Sequence, residues 1–458
     1  MLDQTSATPI AQIQELRVEF QTQDGPVLGV ENVSFDIRAG ETVCVVGESG
    51  SGKSVSSLSL MRLVEFGGGR IAGGRLLFER QHAPAIDLAR TNQDIMREIR
   101  GNEIGMIFQE PMTALNPVFT VGRQLTEGLR LHKKMSRSEA ESRALELLTQ
   151  VRIPEPERRL TQYPHELSGG MRQRVVIAMA LACSPRLLIA DEPTTALDVT
   201  IQAEILALID RLKRETGTAV MFITHDMAVV AQMADRVVVM FRGNKVEEGT
   251  VEEIFENPQH PYTKALLAAV PKLGEMRGKP YPEPMKLLGT QNKEIVPIKG
   301  TQDTLLTVKN LTTRFPVTGG FLRRTIANVH AVEDLSFTIN KGQTLSLVGE
   351  SGCGKSTAGR SVLRLVEPMS GEINIDGKDI MALNAKGLRE ARLDMQMIFQ
   401  DPFASLNPQM QLSDQVAEPI HNFGTLKGEA LTKRIEMLFD RVELPRSFMR
   451  RFPHELSG

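Results

Sequence analysis

Short apolar runs alternate with amphipathic segments along the first half of the chain, and several runs end at polar residues. The run 42–46 leads into a glycine-rich loop and then a helical pattern over 55–64, which predicts strand, loop and helix in that order. The runs that end at Gln109, at Asp191 with Glu192, and at His225 are typical of buried parallel strands. The pattern therefore predicts an α/β fold with these side chains at the carboxyl ends of its strands.

The chain also repeats itself. GESGSGKS at 47–54 returns as GESGCGKS at 349–356, MIFQEPMTALNP at 106–117 as MIFQDPFASLNP at 397–408, and PHELSG at 164–169 as the same letters at 453–458. Three matches in one order indicate two copies of one domain. The stretch around 271–301 is rich in Pro and Lys without an apolar period, as linkers are. We predict a first domain at 1–270, a linker at 271–308 and a second domain at 309–458.

The second copy corresponds to only part of the first. In the first copy, informative sequence continues for another hundred residues past Gly169, whereas Gly458, its equivalent, is the last residue of the sequence. The stretch from Gly170 to His225 supplies at least two buried central strands, so a copy without it would leave apolar sheet faces and edges open. We therefore expect an incomplete second domain that is marginally stable or prone to aggregate alone.

Composition narrows the function classes. The chain has 458 residues, 41% hydrophobic and 24% charged, with a net charge of −2, as ordinary globular proteins do. This balance gives no strong field that would favour nucleic acid. The three cysteines lie far apart, which excludes a disulfide framework and indicates a reducing compartment. The most apolar stretch, 175–182, is shorter than the roughly 20 residues of a membrane helix.

The glycine-rich loop predicts phosphate binding. In a G-x4-G-K-[ST] loop (the P-loop), backbone N–H groups face phosphate oxygens, Lys53 reaches the β- and γ-phosphates, and the Ser54 hydroxyl binds Mg²⁺. Asp191 suits Mg²⁺ coordination through water, and Glu192 suits orienting or deprotonating the attacking water. Taken singly, the acids could be an ordinary strand end, His225 a histidine bonded to backbone, and Gln109 a loop amide.

The string Leu167-Ser-Gly-Gly170 resembles the signature motif of ATP-binding cassette (ABC) ATPases, and the other motifs then fall into that family's order. The strings at 256–263 (ENPQHPYT) and 108–117 are similar to the oligopeptide/dipeptide importer branch. The resemblance implies two tandem ABC-type P-loop NTPase domains, each with a RecA-like core, an antiparallel β-subdomain and a helical signature subdomain. The residues give no mechanism for the segment 260–262, whose alternative role is a turn before a helix at 263–269.

The resemblance also implies an activity and its partners. ATP with Mg²⁺ would be hydrolysed to energise import of glutathione or a similar small peptide. The chain would bind two integral-membrane permease subunits, and through them a periplasmic solute-binding protein, at the cytoplasmic face of a bacterial inner membrane.

In this family each P-loop pairs with the signature of the other half, so the resemblance implies two composite sites. The catalytic residues would be Glu192, His225 and Gln109, and the metal ligands Ser54, Gln109, Asp191, Ser356 and Gln400. Two aromatic side chains, Phe20 and Phe315, would stack on adenine, or else belong to the core. The other expected nucleotide-binding residues lie in the two P-loops, the two signatures and the second Gln loop: Gly47, Glu48, Ser49, Gly50, Ser51, Gly52, Lys53, Ser54, Ser168, Gly169, Gly170, Gly349, Glu350, Ser351, Gly352, Cys353, Gly354, Lys355, Ser356, Gln400, Ser457 and Gly458.

Two other functions stay open at this point. A soluble twin-cassette factor acting on ribosomes or DNA would typically carry a long basic or helical insert or zinc-binding cysteines, and the sequence has none of these. A catalytically inactive remnant is suggested only by the position of the last residue.

Overall fold

The computed structural model describes residues 8–22, 25–109, 114–195, 197–271, 274–275, 277–279, 301–319, 324–400, 405–424 and 426–456. The chain divides into two compact units, 1–295 and 296–458, which are described separately. The domain limits predicted above stay a prediction, and the first strand of the second unit begins at Thr304, inside the predicted linker.

The first unit is built on a mixed sheet. Its strands are β1 (Pro9–Thr22), β2 (Gly25–Arg38), β3 (Thr42–Val46), β4 (Gly69–Phe78), β5 (Ile86–Asp87), β6 (Ile104–Ile107), β7 (Leu187–Asp191), β8 (Ala219–Ile223), β9 (Arg236–Phe241) and β10 (Asn244–Thr250), in the order β5-β4-β1-β2-β10-β9-β3-β8-β7-β6. The strands β5, β4, β1 and β2 pair antiparallel, whereas β9, β3, β8, β7 and β6 run parallel. A parallel half and an antiparallel half therefore make up one unit.

Strand β3 lies in the middle of the parallel half, between β9 and β8. Cys44 and Val46 point into one hydrophobic cluster, and Val43 and Val45 into the cluster on the other face. Both faces of the strand are buried, so each side chain must be apolar or have its polar atoms hydrogen-bonded. This requirement explains the continuous apolar run in the sequence. The other predicted buried runs likewise form β6, β7 and β8.

Helices cover the faces of this sheet. They are α1 (Lys53–Leu60), α2 (Gln93–Ile99), α3 (Val121–His132), α4 (Arg137–Gln150), α5 (Pro156–Leu160), α6 (Gly169–Leu181), α7 (Val199–Thr216), α8 (Met227–Met233), α9 (Val251–Glu256) and α10 (Pro261–Ala268). Helix α1 ends four residues before the predicted end at Val64, and Arg62 just beyond it has a left-handed φ of 49°. Within the described parts of the chain, no helix is both long enough and apolar enough to cross a membrane.

Helices α3 to α6 form a helical subdomain that follows β6. Val121, Leu125 and Leu129 on α3 pack with Ala144 and Leu148 of α4 in the cluster that also covers the parallel strands. Helix α6 begins at the predicted signature, where the Ser168 hydroxyl accepts a hydrogen bond from the Met171 N–H. The three parts expected of an ABC cassette, namely the parallel core, the antiparallel sheet and the helical subdomain, are all present in the first unit.

The second unit contains a smaller sheet. Its strands β11 (Thr304–Gly319), β12 (Arg324–Asn340), β13 (Ser370–Ile375) and β14 (Lys378–Asp379) lie in the order β12-β11-β13-β14. Its helices are α11 (Lys355–Val362), α12 (Ala385–Ala391), α13 (Leu412–Phe423) and α14 (Gly428–Arg441).

The segment 344–348, which corresponds to β3, forms no strand in the second unit. Leu347 is 43% exposed, Val348 88% and Ile398 98%. The expected open apolar surface is therefore present, whereas the expected aggregation stays a prediction.

Candidate nucleotide-binding and catalytic site

The P-loop of the first unit connects β3 to α1 and lies tightly against neighbouring strands. Gly47 has a φ of 149°, and a Cβ atom built on it would lie 2.1 Å from the Met240 carbonyl oxygen. Gly52 has a φ of 94°, and its Cβ would lie 2.7 Å from the Gly29 carbonyl oxygen. Both positions require glycine, because the loop combines left-handed backbone with close approach to β9 and β2. The predicted conformation thus has a steric cause.

Lys53 stands at the start of α1 and is 5% exposed. Its ammonium donates to the Gly47 carbonyl at 2.8 Å and to the Glu48 carbonyl at 2.7 Å. Burial lowers the pKa of Lys53, and the charges of Glu192 and Asp191 oppose that shift. The side chain is therefore a desolvated cation held beside the loop, which favours a strong interaction with phosphate oxygens.

Ser54 and Asp191 meet although 137 residues separate them. The Ser54 hydroxyl donates to Asp191 Oδ1 at 2.9 Å. Burial raises the pKa of Asp191 to about 6, the hydrogen bond from Ser54 opposes the shift, and the charge of Glu192 adds to it. A buried carboxylate with a raised pKa next to a hydroxyl is a site that a cation would stabilise.

Three side chains from different parts of the sequence contact the Glu192 carboxylate. Gln109 Nε2 donates to Oε2 at 3.2 Å, the Thr195 hydroxyl donates to the same oxygen at 2.9 Å, and His225 Nδ1 lies 3.3 Å from Oε1. His225 therefore contacts the Glu192 carboxylate rather than a backbone group. Gln109 donates a hydrogen bond to the same carboxylate, which the alternative of an ordinary loop amide does not explain. The Glu192 backbone has a φ of 46°, a left-handed conformation that is uncommon outside glycine and that clusters at functional sites.

The donor set fits Mg²⁺ bound together with a nucleotide. Among the described residues, no group of three or more His, Cys, Asp or Glu side chains could hold a metal ion unaided. Mg²⁺ in nucleotide sites takes most of its oxygens from phosphates and water and needs only one or two from the protein. The adjacent oxygens of Ser54 and Asp191 meet that need.

The second-unit P-loop has the same local form with fewer neighbours. Lys355 Nζ donates to the carbonyls of Gly349 at 2.7 Å and Glu350 at 2.6 Å. Ser356 and Gln400 are both exposed, and no hydrogen bond joins them within the described part of this unit. The structure therefore brings together the P-loop residues of this unit but not its predicted metal ligands.

The remaining predicted residues are placed as follows. Phe20 is partly buried, and its ring lies against Gly29 and Gly69, as the core alternative expects, whereas Phe315 is 41% exposed. Ser168 and Gly169 are exposed at the start of α6. Ser457 and Gly458 lie outside the described residues, and the pairing of each P-loop with the other half's signature stays a prediction.

Two contacts at this site were missed from the sequence. Thr195 follows Glu192 by three residues, about one turn of the chain. This short spacing between a hydroxyl and a carboxylate could have indicated their hydrogen bond from the sequence. The Tyr262 hydroxyl accepts a hydrogen bond at 2.8 Å from the Glu48 N–H of the P-loop, across 214 residues of chain, and no local pattern could have indicated it.

Comparison with known proteins agrees with this geometry. The ABC transporter family matches residues 30–195 and 332–458, and the C-terminal region of oligopeptide/dipeptide transporters matches residues 246–292. The chain therefore belongs to the ABC transporter ATPases and contains two tandem nucleotide-binding cassettes.

Among its relatives are two bacterial proteins named glutathione import ATP-binding protein GsiA. The one from Escherichia coli K12 is 51% identical over 100% of this chain and 74% of its own length. The one from Pectobacterium atrosepticum is 52% identical over 98% of this chain and 73% of its own length. A solved dimeric ATP-binding cassette bound to ADP and Pi is 29% identical and covers 53% of this chain and 98% of its own, with a TM-score of 0.47.

Proposed function

We propose that this ABC ATPase energises the import of glutathione or a similar small peptide. The observation that carries the proposal is the identity of about half of all positions to proteins named for glutathione import, over essentially the whole chain. The match of 246–292 to the C-terminal region of oligopeptide/dipeptide transporters supports the peptide class independently. Its partners would be two permease subunits at the cytoplasmic face of the inner membrane and, through them, a periplasmic solute-binding protein.

The chain's own residues account for hydrolysis at the first P-loop. Lys53 and the loop N–H groups would bind and orient the phosphates, so that much of the catalysis is positioning. Mg²⁺, held by Ser54 and Asp191, would supply positive charge at the phosphate oxygens when bound. Glu192 would orient the attacking water and accept its proton.

Gln109, Thr195 and His225 would hold the Glu192 carboxylate in place for that task. Each of the three contacts it directly, and they lie just after β6, β7 and β8 respectively. A base that is positioned by three side chains is expected to lose its orientation when one of these contacts is removed.

The decisive experiment compares Glu192→Gln with the wild-type chain. We expect ATP turnover to fall by about 10²–10⁴, the usual contribution of a general base, while ATP binding is retained. The matched control, Glu215→Gln, changes an exposed glutamate near the end of α7. Turnover at the wild-type level in Glu192→Gln would contradict the catalytic assignment.

The solute is tested separately in cells of the source organism. Uptake of labelled glutathione should fall with Glu192→Gln, and unlabelled small peptides should compete if the class is broader. Uptake that is unchanged while turnover is lost would refute glutathione import. Co-sedimentation of the chain with ribosomes, rather than permease-dependent membrane association, would favour the soluble-factor alternative.

A further inference from the structure

The segment His260-Pro261-Tyr262 lies in the matched transporter C-terminal region, and each of its residues has a structural task. Glu247 on β10 accepts hydrogen bonds from the N–H groups of Gln259 at 2.6 Å and His260 at 3.0 Å. His260 caps α10, its Nδ1 accepting from the Tyr262 N–H at 3.2 Å, and Pro261 occupies the first helical position, where it needs no donor. The segment is thus fixed at its start, and the fixed part delivers Tyr262.

Tyr262 reaches from α10 to the P-loop. The side chain is 3% exposed, and its ring packs on Phe241 at the end of β9 with centroids 4.3 Å apart. Its hydroxyl accepts the hydrogen bond from Glu48 N–H at 2.8 Å. The residue before Phe241, Met240, is the one whose carbonyl presses on Gly47. Tyr262 therefore contacts both the end of β9 and the first residues of the P-loop, and it links them to the C-terminal region.

The hydrogen bond between the Glu48 N–H and the Tyr262 hydroxyl fixes the peptide group that joins Gly47 to Glu48. Lys53 holds the carbonyls of Gly47 and Glu48, but Lys53 is also the side chain expected to turn to the phosphates. When it does so, the hydrogen bond from the Glu48 N–H to the Tyr262 hydroxyl is a restraint that does not depend on Lys53.

We infer that Tyr262 is a positioning residue for ATP binding: it couples the peptide-transporter C-terminal region to the P-loop of the first cassette. The inference rests on the proposed nucleotide site at that loop. It predicts a contribution to ATP affinity that is the same in the ground state and the transition state, because the hydroxyl touches the loop backbone and no reacting atom.

The test uses the full chain with Tyr262→Phe, which removes the hydroxyl and keeps the ring. Lys355→Ala is present in every sample so that binding of a fluorescent ATP analogue reports on the first P-loop. We expect the Kd and the KM for ATP to rise about five-fold, the effect of one lost hydrogen bond, with kcat within about two-fold of the parent. A purely structural role would lower the melting temperature without nucleotide but leave the Kd and the KM for ATP unchanged at temperatures where the chain stays folded.

Two controls separate the possible failures. Tyr163→Phe, at an exposed tyrosine in the helical subdomain, should leave the Kd unchanged. Lys53→Ala should weaken binding strongly. If Lys53→Ala has no effect, the proposed nucleotide site is wrong. If Lys53→Ala weakens binding but Tyr262→Phe does not, the role of Tyr262 is refuted.

Discussion

The two P-loops of this chain have one conformation in two different surroundings. Their glycines have matching φ angles, and both lysines bond the carbonyls of the first two loop residues. The first loop follows a strand paired on both sides, whereas the segment before the second loop forms no strand. The matched pairs are Gly47 at 149° with Gly349 at 152°, Gly50 at 76° with Gly352 at 83°, and Gly52 at 94° with Gly354 at 97°. Eight local residues therefore determine the loop, while the strand before it and the positions of the Asp191 and Glu192 carboxylates depend on partners elsewhere in the chain.

The largest expected difference between the two surroundings is in stability. Val46 and Val348 each precede the first glycine of a loop, and they are 0% and 88% exposed. Val46→Asp should lower the free energy of unfolding of the first unit by about 3–5 kcal/mol, because it buries an unpaired charge. Val348→Asp should change stability by less than about 0.5 kcal/mol. Urea unfolding with hydrogen exchange of both segments measures this, and equal effects would contradict the comparison.

The two lysines should also differ in their contribution to nucleotide binding. Lys53 is 5% exposed, so its charge acts in a low dielectric, whereas Lys355 is partly open to solvent. We expect Lys53→Ala to weaken ATP-analogue binding at the first loop about 100-fold, and Lys355→Ala to weaken binding at the second loop about ten-fold. Equilibrium titration of each single variant, with the double variant as baseline, separates the two sites. A larger loss at the second loop would reverse the ranking.

A smaller effect concerns how the Mg²⁺ requirement depends on the protonation of Asp191. No described residue of the second unit corresponds to Asp191. Its pKa is raised to about 6, so the carboxylate takes up a proton as the pH falls through that value. We expect the Mg²⁺ concentration for half-maximal turnover to rise by up to about ten-fold per pH unit below the pKa. Asp191→Asn should remove most of this pH dependence, and a wild-type Mg²⁺ requirement that is flat between pH 7 and 5 would exclude Asp191 as the ligand.

The same shift has a consequence for folding without metal. Because the folded chain holds the proton more tightly than the unfolded chain between about pH 4 and 6, ionised Asp191 destabilises the fold above that window. Asp191→Asn should therefore raise the free energy of unfolding by about 1–3 kcal/mol at pH 7. The gain should shrink towards zero as the pH falls from 6 to 4.

Local patterns in the sequence predicted much of the first unit. The runs that form β3, β7 and β8, and the two acids at the end of β7, were predicted because buried parallel strands are continuously apolar. The hydrogen bond between Ser54 and Asp191 agrees with the prediction that both residues bind Mg²⁺. The end of α1 was misplaced, since a left-handed residue at Arg62 leaves no apolar signature.

Contacts between distant segments were beyond such patterns. The hydrogen bond from Glu48 to Tyr262 joins two distant segments, and the hydrophobic pattern of neither segment indicates that they are in contact. The contacts of Gln109 and His225 with Glu192 likewise depend on β6 and β8 lying on either side of β7 in the sheet. The repeat predicted open apolar sheet faces and edges in the second unit, because the stretch 170–225 is not repeated there, but it did not predict that the segment 344–348 forms no strand.

The order of strands in the first unit also has a consequence for how the protein is made. Thr42, which opens β3, donates its N–H to Asp235, which lies 193 residues later in the chain. At synthesis rates of about 5–20 residues per second, the strand that carries the P-loop waits roughly 10–40 s for that partner to be translated. During this interval the apolar segment 42–46 lacks at least one of its two partner strands, so binding of a chaperone to it would be most valuable before β8 and β9 emerge.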